Sequence, residues 1–227
     1  MTPEAVKPRR RYDNRRREEQ ALQARRRIMD AAHGLFVDHG YPGTTMAAVA
    51  TAAGVSVETV YKSFGSKAAL AKKVWDVTLV GDDQPVPLAQ RPEFTAVVAD
   101  PDPRRMLAGY AAIGRLLLER LGPLQRVILE GAQAGDPELR ELMATIDRER
   151  LAGATGFVAK LAERGALRRG LDPEAARDIL WTLISPEVCR LLVDGRGWSL
   201  DRWERWLADT LAAVLLDPRP ASQESLT

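Results

Sequence analysis

Apolar residues recur every three or four positions along most of this chain, and that spacing places them on one side of an α-helix. The first regular stripe stops before a Gly-Tyr-Pro-Gly segment at positions 40–43, which is suited to a turn. Its members are Ile28, Ala31, Ala32, Leu35, Phe36 and His39. The pattern predicts an amphipathic helix that ends near residue 39.

Two shorter helices are predicted directly after this turn, within TTMAAVATAAGVSVETVYKSFGSK at positions 44–67. Thr44 and Thr45 carry hydroxyl groups where a helix needs an N-cap, and Gly54 can end that helix in the left-handed conformation. Ser56 is placed to cap the next helix, so the turn is three residues long. That helix should bury Val57, Val60 and Phe64 and expose Ser56, Glu58, Thr59, Tyr61 and Lys62. Such a corner is the helix-turn-helix that places a helix in the DNA major groove.

The remainder of the chain is predicted to be helical as well. A fourth helix should carry Leu70, Val74 and Trp75, and a proline-rich connection should occupy 81–103 with a short helix at 93–99. Further helices are predicted at 104–121, 123–133, 137–164, 173–196 with a kink at Ser185-Pro186, and 200–216. The sequence therefore predicts an all-α protein, with an N-terminal three-helix DNA-binding domain and a C-terminal helical bundle.

Positive charge is concentrated at the N-terminal end. Up to Val80 the chain has fourteen Lys or Arg against eight Asp or Glu, whereas the remainder has nineteen against twenty-three. Three clusters, Arg9–Arg11, Arg15–Arg17 and Arg25–Arg27, favour a polyanion as partner through phosphate neutralisation. We expect residues 1–24 to be a basic arm that is disordered without DNA. An anionic membrane is disfavoured because no apolar face precedes Ile28.

Composition narrows the setting further. The single cysteine, Cys189, excludes an internal disulfide and fits a reducing cytoplasm. A lone cysteine of this kind is more typical of a small buried hydrophobe than of a nucleophile. The chain shows no signal sequence and no uncharged apolar run of about twenty residues, so we expect a soluble cytoplasmic protein without a membrane partner.

The segment RRRIMDAAHGLFVDHGYPGTTMAAVATAAGVSVETVYKSFGSKAAL at 25–70 resembles the tetracycline-repressor (TetR) family of transcriptional regulators. The resemblance covers about a fifth of the chain and implies a dimer with a DNA-binding domain at 25–80. It also implies a helical domain at 81–216 that binds a small effector and releases the DNA, followed by a flexible tail at 217–227. The matching positions are Ile28, Ala31, Ala32, Leu35, Phe36, Gly40-Tyr41, Thr44-Thr45, Ala50, Ala53-Gly54-Val55-Ser56, Tyr61, Phe64, Ser66-Lys67 and Leu70.

Eight residues are candidates for contact with double-stranded DNA. Thr44 and Thr45 lie at a helix N-terminus, where free amides and the helix dipole suit a phosphate oxygen. The resemblance implies that Tyr61 and Lys67 touch the DNA backbone. Three further candidates, Glu58, Thr59 and Lys62, are suited to contact base edges. Lys can donate to guanine, Glu can accept from cytosine and Thr can touch a thymine methyl group. Ser56 completes the outward face of this helix.

The last two predicted helices offer more apolar surface than they can bury alone, and pairing with a second copy would cover it. The resemblance implies a four-helix bundle about a two-fold axis, and hence a near-palindromic operator. The alternative, that some of these residues face their own bundle, stays open. The candidates for the homodimer interface are Ile179, Leu180, Leu183, Leu191, Trp203, Trp206, Leu207, Leu211 and Val214.

A pocket for a small-molecule effector is expected among the helices from Arg104 to about Arg196. The candidate lining residues are Tyr110, Met143, Phe157 and Trp181, although large residues at helical spacing are more often plain core. Few charged residues interrupt the apolar faces, which favours an apolar or aromatic effector.

The sequence predicts no catalytic, metal or cofactor site. His33 and His39 lack Cys or spaced carboxylate partners, Ser66 and Ser185 lack an obvious base, and no Gly-rich phosphate loop follows a strand. We therefore expect a ligand-responsive repressor and not an enzyme. Two alternatives remain, a ligand-independent architectural DNA-binding protein and a helical enzyme that carries this corner.

Overall fold

The computed structural model describes residues 9–218, with side chains from Arg16 onward, and over this range the protein is all-α. No helix within it is long and apolar enough to cross a membrane. A 3-10 turn at Leu88–Gln90 precedes α5. The helices are α1 (Arg9–Gly43), α2 (Met46–Ala53), α3 (Val57–Phe64), α4 (Lys67–Val80), α5 (Pro92–Ala99), α6 (Pro103–Gln133), α7 (Pro137–Glu163), α8 (Pro173–Leu183), α9 (Pro186–Arg196) and α10 (Leu200–Leu215).

The first helix begins much earlier than the sequence analysis predicted. Residues 9–24 are helical and continuous with the amphipathic stripe, so the expectation of disorder was wrong for this part of the arm. No Gly or Pro occurs between Arg9 and His33, and the segment is rich in the helix formers Arg, Glu, Gln and Ala. The regular helix breaks at Gly40, whose φ of 71° and ψ of 170° lie outside the helical region. Residues 1–8 of the arm and 219–227 of the tail lie outside the described residues.

Two predicted break points behave differently from the expectation. The helices predicted at 104–121 and 123–133 are one helix, α6, which continues through Pro123. The flanking Leu121 and Leu124 are buried, and this burial offsets the backbone hydrogen bond that proline removes. At Ser185, where a kink within one helix was predicted, α8 ends and α9 begins, so the chain forms two separate helices. Ser185 Oγ accepts the Val188 N–H at 3.2 Å, and Pro186 takes the first helical position, where no donor is needed.

The chain divides into two compact units. The first unit consists of two segments, the described residues up to Gly81 and Leu121–Met143. The second of these segments was predicted to belong to the effector domain. Its buried side chains include Ile28, Phe36, Val49, Val60, Leu70, Trp75, Leu124, Ile128 and Leu139. The second unit comprises Asp82–Arg120 and the chain from Ala144 onward.

The second unit has a single apolar core built from α5 to α10. Its buried members include Phe94, Met106, Leu107, Tyr110, Phe157, Leu161, Leu180, Trp203, Leu207 and Leu211. Cys189 belongs to this core, and burial raises the pKa of its thiol to about 11. The thiol therefore stays protonated near neutral pH, as a small buried hydrophobe would.

The side chain of Arg91 forms hydrogen bonds within the proline-rich connection between α4 and α5. The Arg91 guanidinium donates to both carboxylate oxygens of Asp82, at 2.5 and 2.8 Å, and its Nε donates to the Val86 carbonyl at 3.2 Å. The hydrogen bonds from Arg91 lower the pKa of the Asp82 carboxyl to about 2. The segment after α4 therefore has a defined path and is not a loose linker.

Candidate DNA-binding site

The corner between α2 and α3 is fixed by backbone hydrogen bonds around a left-handed glycine. Gly54 has φ 66° and ψ 42°, and its N–H donates to the Thr51 carbonyl at 3.2 Å. The Val55 N–H donates to the Ala50 carbonyl at 3.0 Å, which completes a Schellman motif. Thr45 caps the start of α2, since its Oγ1 accepts the Ala48 N–H at 3.1 Å. The predicted three-residue turn is confirmed.

Helix α3 starts at the predicted cap. Ser56 Oγ accepts the Thr59 N–H at 3.2 Å and lies 2.9 Å from Thr59 Oγ1. Both hydroxyl groups are thus engaged with each other at the first turn of α3. Val60 is fully buried against the rest of the unit and fixes which side of α3 faces inward.

The opposite side of α3 presents four exposed residues to solvent. We call Val57, Glu58, Tyr61 and Lys62 the outer face of α3. Tyr61 is 51% exposed, as predicted, but Val57 is 39% exposed and the prediction that it is buried was wrong. Val57 is the first residue of α3, before the helix packs against its neighbours, so helical spacing alone assigned it to the wrong side. An exposed Val can meet a thymine methyl group, which makes it a candidate base contact that the sequence analysis missed.

Thr44 does not have the position that the sequence analysis predicted. Its side chain is 1% exposed, and its hydroxyl donates to the carbonyls of Leu35 at 3.0 Å and Gly40 at 2.8 Å. Thr45, one residue later, is the actual N-cap of α2. Because the Thr44 hydroxyl is buried and bonded to two carbonyls near the end of α1, it is closed to phosphate. Thr45 is exposed and keeps its candidate role.

Lys67 has an internal role that the sequence did not indicate. Its ammonium donates to the carbonyls of Tyr41 at 3.0 Å and Thr44 at 3.2 Å, and lies 4.0 Å from the centroid of the Tyr41 ring. An ammonium group has three donors, so one remains for a phosphate. Contact of Lys67 with DNA stays a prediction.

One arginine of the basic clusters supports α3 directly. Arg25 donates from Nη1 to the Ser63 carbonyl at 3.1 Å, and its guanidinium carbon lies 4.5 Å from the centroid of the Phe64 ring. A cation at a helix C-terminus offsets the partial negative charge of the last carbonyls. Arg25 therefore holds the end of α3 in place, while Arg26 and Arg27 beside it are exposed.

The start of α7 is attached to the same unit through Tyr41. The Tyr41 hydroxyl donates to Glu138 Oε2 at 2.5 Å, and the Tyr41 ring stacks on Phe36 with centroids 5.6 Å apart. Burial and the neighbouring Glu138 both raise the pKa of Tyr41, so the phenol remains a donor. Tyr41 thus connects α7, the end of α1 and, through Lys67, the start of α4.

The predicted effector-pocket residues divide between the two units. Met143 belongs to the first unit, whereas Tyr110, Phe157 and Trp181 belong to the second. Tyr110 and Phe157 have ring centroids 4.2 Å apart, and Phe94 meets both edge-on at 6.0 and 6.4 Å. The guanidinium carbon of Arg150 lies 5.4 Å from the centroid of the Trp181 ring. Tyr110 and Phe157 therefore belong to one aromatic cluster of the second unit, and Trp181 packs against the same apolar core beside Arg150.

The predicted dimer residues also separate into two groups. Leu180, Trp203, Leu207 and Leu211 are buried in the core of their own protomer, so their assignment to the dimer interface was wrong. They pack inward because the core of the second unit needs one face of α8 and α10. Ile179, Leu183, Trp206 and Val214 are half-buried against that core, and Leu191 on α9 is 59% exposed. These five remain candidates.

Comparison with known proteins identifies the DNA-binding domain. Residues 28–74 match the family model of bacterial regulatory proteins, tetR family. The chain is also 26% identical over 168 residues to the uncharacterized HTH-type transcriptional regulator YdeS of Bacillus subtilis strain 168, covering 74% of this chain and 78% of YdeS. The chain carries a tetR-type DNA-binding domain at residues 28–74. It is accordingly a DNA-binding transcriptional regulator, and α2, the turn and α3 form its helix-turn-helix.

Solved structures extend the TetR fold over the rest of the chain. Native NalD, the secondary repressor of the MexAB-OprM multidrug efflux pump in Pseudomonas aeruginosa, is 23% identical with a TM-score of 0.67, covering 88% of this chain and 100% of NalD. The SmeT–triclosan complex is 21% identical with a TM-score of 0.65, covering 88% of this chain and 96% of SmeT. At these identities the likeness shows the shared fold. No set of three or more His, Cys, Asp or Glu in residues 16–218 could hold a metal ion.

Proposed function

We propose that this protein is a homodimeric, cytoplasmic repressor that binds a near-palindromic operator through the outer face of α3 and leaves it when a small molecule binds the second unit. The observation that carries the proposal is the outer face itself. Val57, Glu58, Tyr61 and Lys62 are exposed together on one side of a helix that Val60, Ser56 and Arg25 hold rigidly. A rigid helix with a free outward side can enter a major groove without refolding.

The flanks of this helix supply candidate contacts to phosphate. Thr45 lies at the N-terminus of α2, and Lys67 begins α4 on the other side of the corner. Arg16, Arg17, Arg26 and Arg27 are exposed along α1, where they add positive charge to the unit that carries α3. Phosphate contacts of this kind fix the register of the helix on DNA, and base contacts add the sequence preference.

The effector mechanism is a shift of population between conformers. A ligand that binds better to a conformer whose two recognition helices have the wrong spacing lowers operator affinity by that difference in binding free energy. NalD is a repressor and SmeT binds triclosan, so repression and small-molecule binding both occur among proteins of this fold. The architectural alternative would give equal affinity for random duplex and for a selected operator.

Selection of bound duplexes from a random pool tests the proposed function. We expect a near-palindromic consensus with half-sites separated by about one helical turn, 10–10.5 base pairs, or a multiple of it, because a two-fold dimer presents two copies of α3. The selected duplex is then compared with shuffled duplex by titration at moderate salt. A consensus without internal symmetry would contradict the dimeric arrangement, and the absence of any enriched sequence would contradict sequence-specific regulation.

Self-association should depend on Leu191. Replacing it with Glu places a charge where we propose apolar contact with the second copy, and we expect the dimer dissociation constant to rise at least about tenfold. Leu191 is already 59% exposed, so the protomer fold should be unaffected. Analytical ultracentrifugation across a dilution series measures the change. Leu22→Glu is a matched control, because Leu22 is 57% exposed in the other unit and should not alter sedimentation. Equal behaviour of the two variants would remove Leu191 from the interface.

A further inference from the structure

We propose that the effector of this regulator is an aromatic or apolar molecule that carries an anionic acceptor group, such as a carboxylate, recognised by Arg150 together with Tyr110 and Trp181. The inference rests on the proposed function, since it assigns a chemical class to the molecule that binds the second unit. It differs from the expectation of a purely apolar ligand that the sequence alone supported.

Tilted and edge-on rings form the apolar part of this site. Tyr110 on α6 and Phe157 on α7 have ring centroids 4.2 Å apart, and Phe94 on α5 completes the cluster. The Trp203 ring of α10 packs closely on Gly114 of α6, which lies one helical turn after Tyr110. A β-carbon added at Gly114 would lie 3.3 Å from the Trp203 ring. Rings from four helices thus supply flat apolar surface suited to an aromatic body.

The polar groups of the same region that lack partners are hydrogen-bond donors. The indole Nε1 atoms of Trp181 and Trp203 are buried and have no acceptor among the residues that the structure describes. The Tyr110 hydroxyl has no hydrogen bond with any described residue, and burial raises the pKa of Tyr110 to about 12, so it keeps its proton. A buried indole N–H without an acceptor carries an uncompensated desolvation cost. A molecule that brings acceptors to this region would relieve that cost.

Arg150 adds a positive charge beside these donors. Its Nη2 donates to the Trp181 carbonyl at 3.1 Å, and its Nη1 is 2.8 Å from Asp147 Oδ1. A guanidinium has five N–H donors, so further donors remain for a ligand. Burial is the main influence on the pKa of Tyr110 and raises it, and the positive charge of Arg150 lowers that pKa to a smaller extent. Arg150 therefore lies beside Trp181, and its remaining donors can bind a planar anion.

The groups present disfavour a cationic ligand. Asp147 and Arg150 neutralise each other at 2.8 Å, whereas an ammonium ion brings only donors and could accept no hydrogen bond from the unpartnered indole N–H groups. An anion finds the guanidinium, the Tyr110 hydroxyl and an indole N–H in one region. The structure therefore favours acceptor-bearing anions over amines of the same shape.

Three naphthalene compounds of matched shape test this inference: 2-naphthoate, 2-naphthamide and 2-naphthylmethylamine. Binding to the full-length dimer is followed by tryptophan fluorescence and by the melting temperature. We expect 2-naphthoate to bind at least about tenfold more tightly than the amine, because the carboxylate accepts hydrogen bonds from the unpartnered donors and from Arg150, whereas the ammonium group has no acceptor. Arg150→Gln and Tyr110→Phe should each weaken naphthoate binding about fivefold or more. Arg148→Gln removes the same charge from an exposed position of the same helix and should have no effect.

The outcomes separate this inference from the proposed function. Equal or tighter binding of the amine, or naphthoate affinity that is unchanged in Tyr110→Phe and Arg150→Gln, would overturn the anionic class. Tyr110→Phe removes a single hydroxyl group and so remains informative even if Arg150→Gln unfolds. Failure of all three compounds to bind at millimolar concentration would also overturn it. Operator binding, measured in parallel on the same samples, reports on the proposed function alone.

Discussion

Replacing Tyr61 and Lys62 together with Ala is expected to lower operator affinity about a hundredfold or more, because each side chain that reads a base or anchors a phosphate contributes about 1–3 kcal/mol. Both residues are exposed on the outer face of α3 and make no hydrogen bond that the fold needs. The loss should therefore appear in DNA binding and not in the melting temperature. Fluorescence anisotropy with the selected operator measures it.

The salt dependence of the same variant assigns a role to each residue. A phosphate contact that is lost should reduce the slope of log affinity against log salt by about one, whereas a base contact that is lost should change the preferred sequence. The single variants Tyr61→Phe and Lys62→Ala separate the two contributions. Lys160→Ala is the control, since Lys160 is an exposed lysine of the second unit. Unchanged operator affinity in the double variant would exclude the outer face of α3 as the DNA-reading surface.

The local elements of the DNA-binding corner were predictable because they depend on residues close together in sequence. Ser56 caps α3, Gly54 adopts the left-handed conformation and Thr45 caps α2, all within a few residues of the groups they serve. Ile28, Ala32 and Phe36 of the predicted stripe on α1 are buried as helical spacing indicated, whereas His39 is exposed and the buried Met29 was not predicted. Capping chemistry and spacing are sufficient for such features, since no distant partner takes part.

The direction of individual polar side chains was not predictable from the same information. Thr44 faces inward, where its hydroxyl bonds to the carbonyls of Leu35 and Gly40, and no local pattern distinguishes it from the exposed Thr45. Arg25 and Lys67 bind carbonyls 38 and 23 to 26 residues away in sequence, so no local pattern marks them. A positive charge near a DNA-binding helix can serve either DNA or the fold, and the sequence does not separate the two.

The interface residues on α10 show the same limit for apolar side chains. Trp203, Leu207 and Leu211 are spaced by four residues, which identifies a shared face but not the partner that covers it. In the structure that face belongs to the protomer core. The division of the chain into two units was not predictable from sequence either, because Leu121–Met143 belongs to the first unit although it is distant from it in sequence.

Lys67→Met is expected to destabilise the first unit by about 2–3 kcal/mol, since it removes a charged hydrogen-bond donor from two carbonyls and a cation from the Tyr41 ring. Met keeps most of the apolar stem, so the loss reports mainly on the ammonium group. Hydrogen exchange of α2 amides and urea unfolding of the whole chain measure it. Lys72→Met is the matched control on the same helix, where the ion pair to Asp76 at 2.6 Å and i+4 spacing is worth about 0.5 kcal/mol or less.

Stability and operator affinity of Lys67→Met together decide between its two roles. If the ammonium group of Lys67 acts only within the fold, operator affinity should fall only in proportion to the fraction of protein that is unfolded. Lowering the temperature, which stabilises the folded state, should then restore the affinity. If one N–H also binds phosphate, the affinity of the fully folded variant should still be lower and its salt slope reduced by about one. A variant as stable as Lys72→Met would contradict the internal role, because the two carbonyls of Tyr41 and Thr44 would then not depend on the lysine.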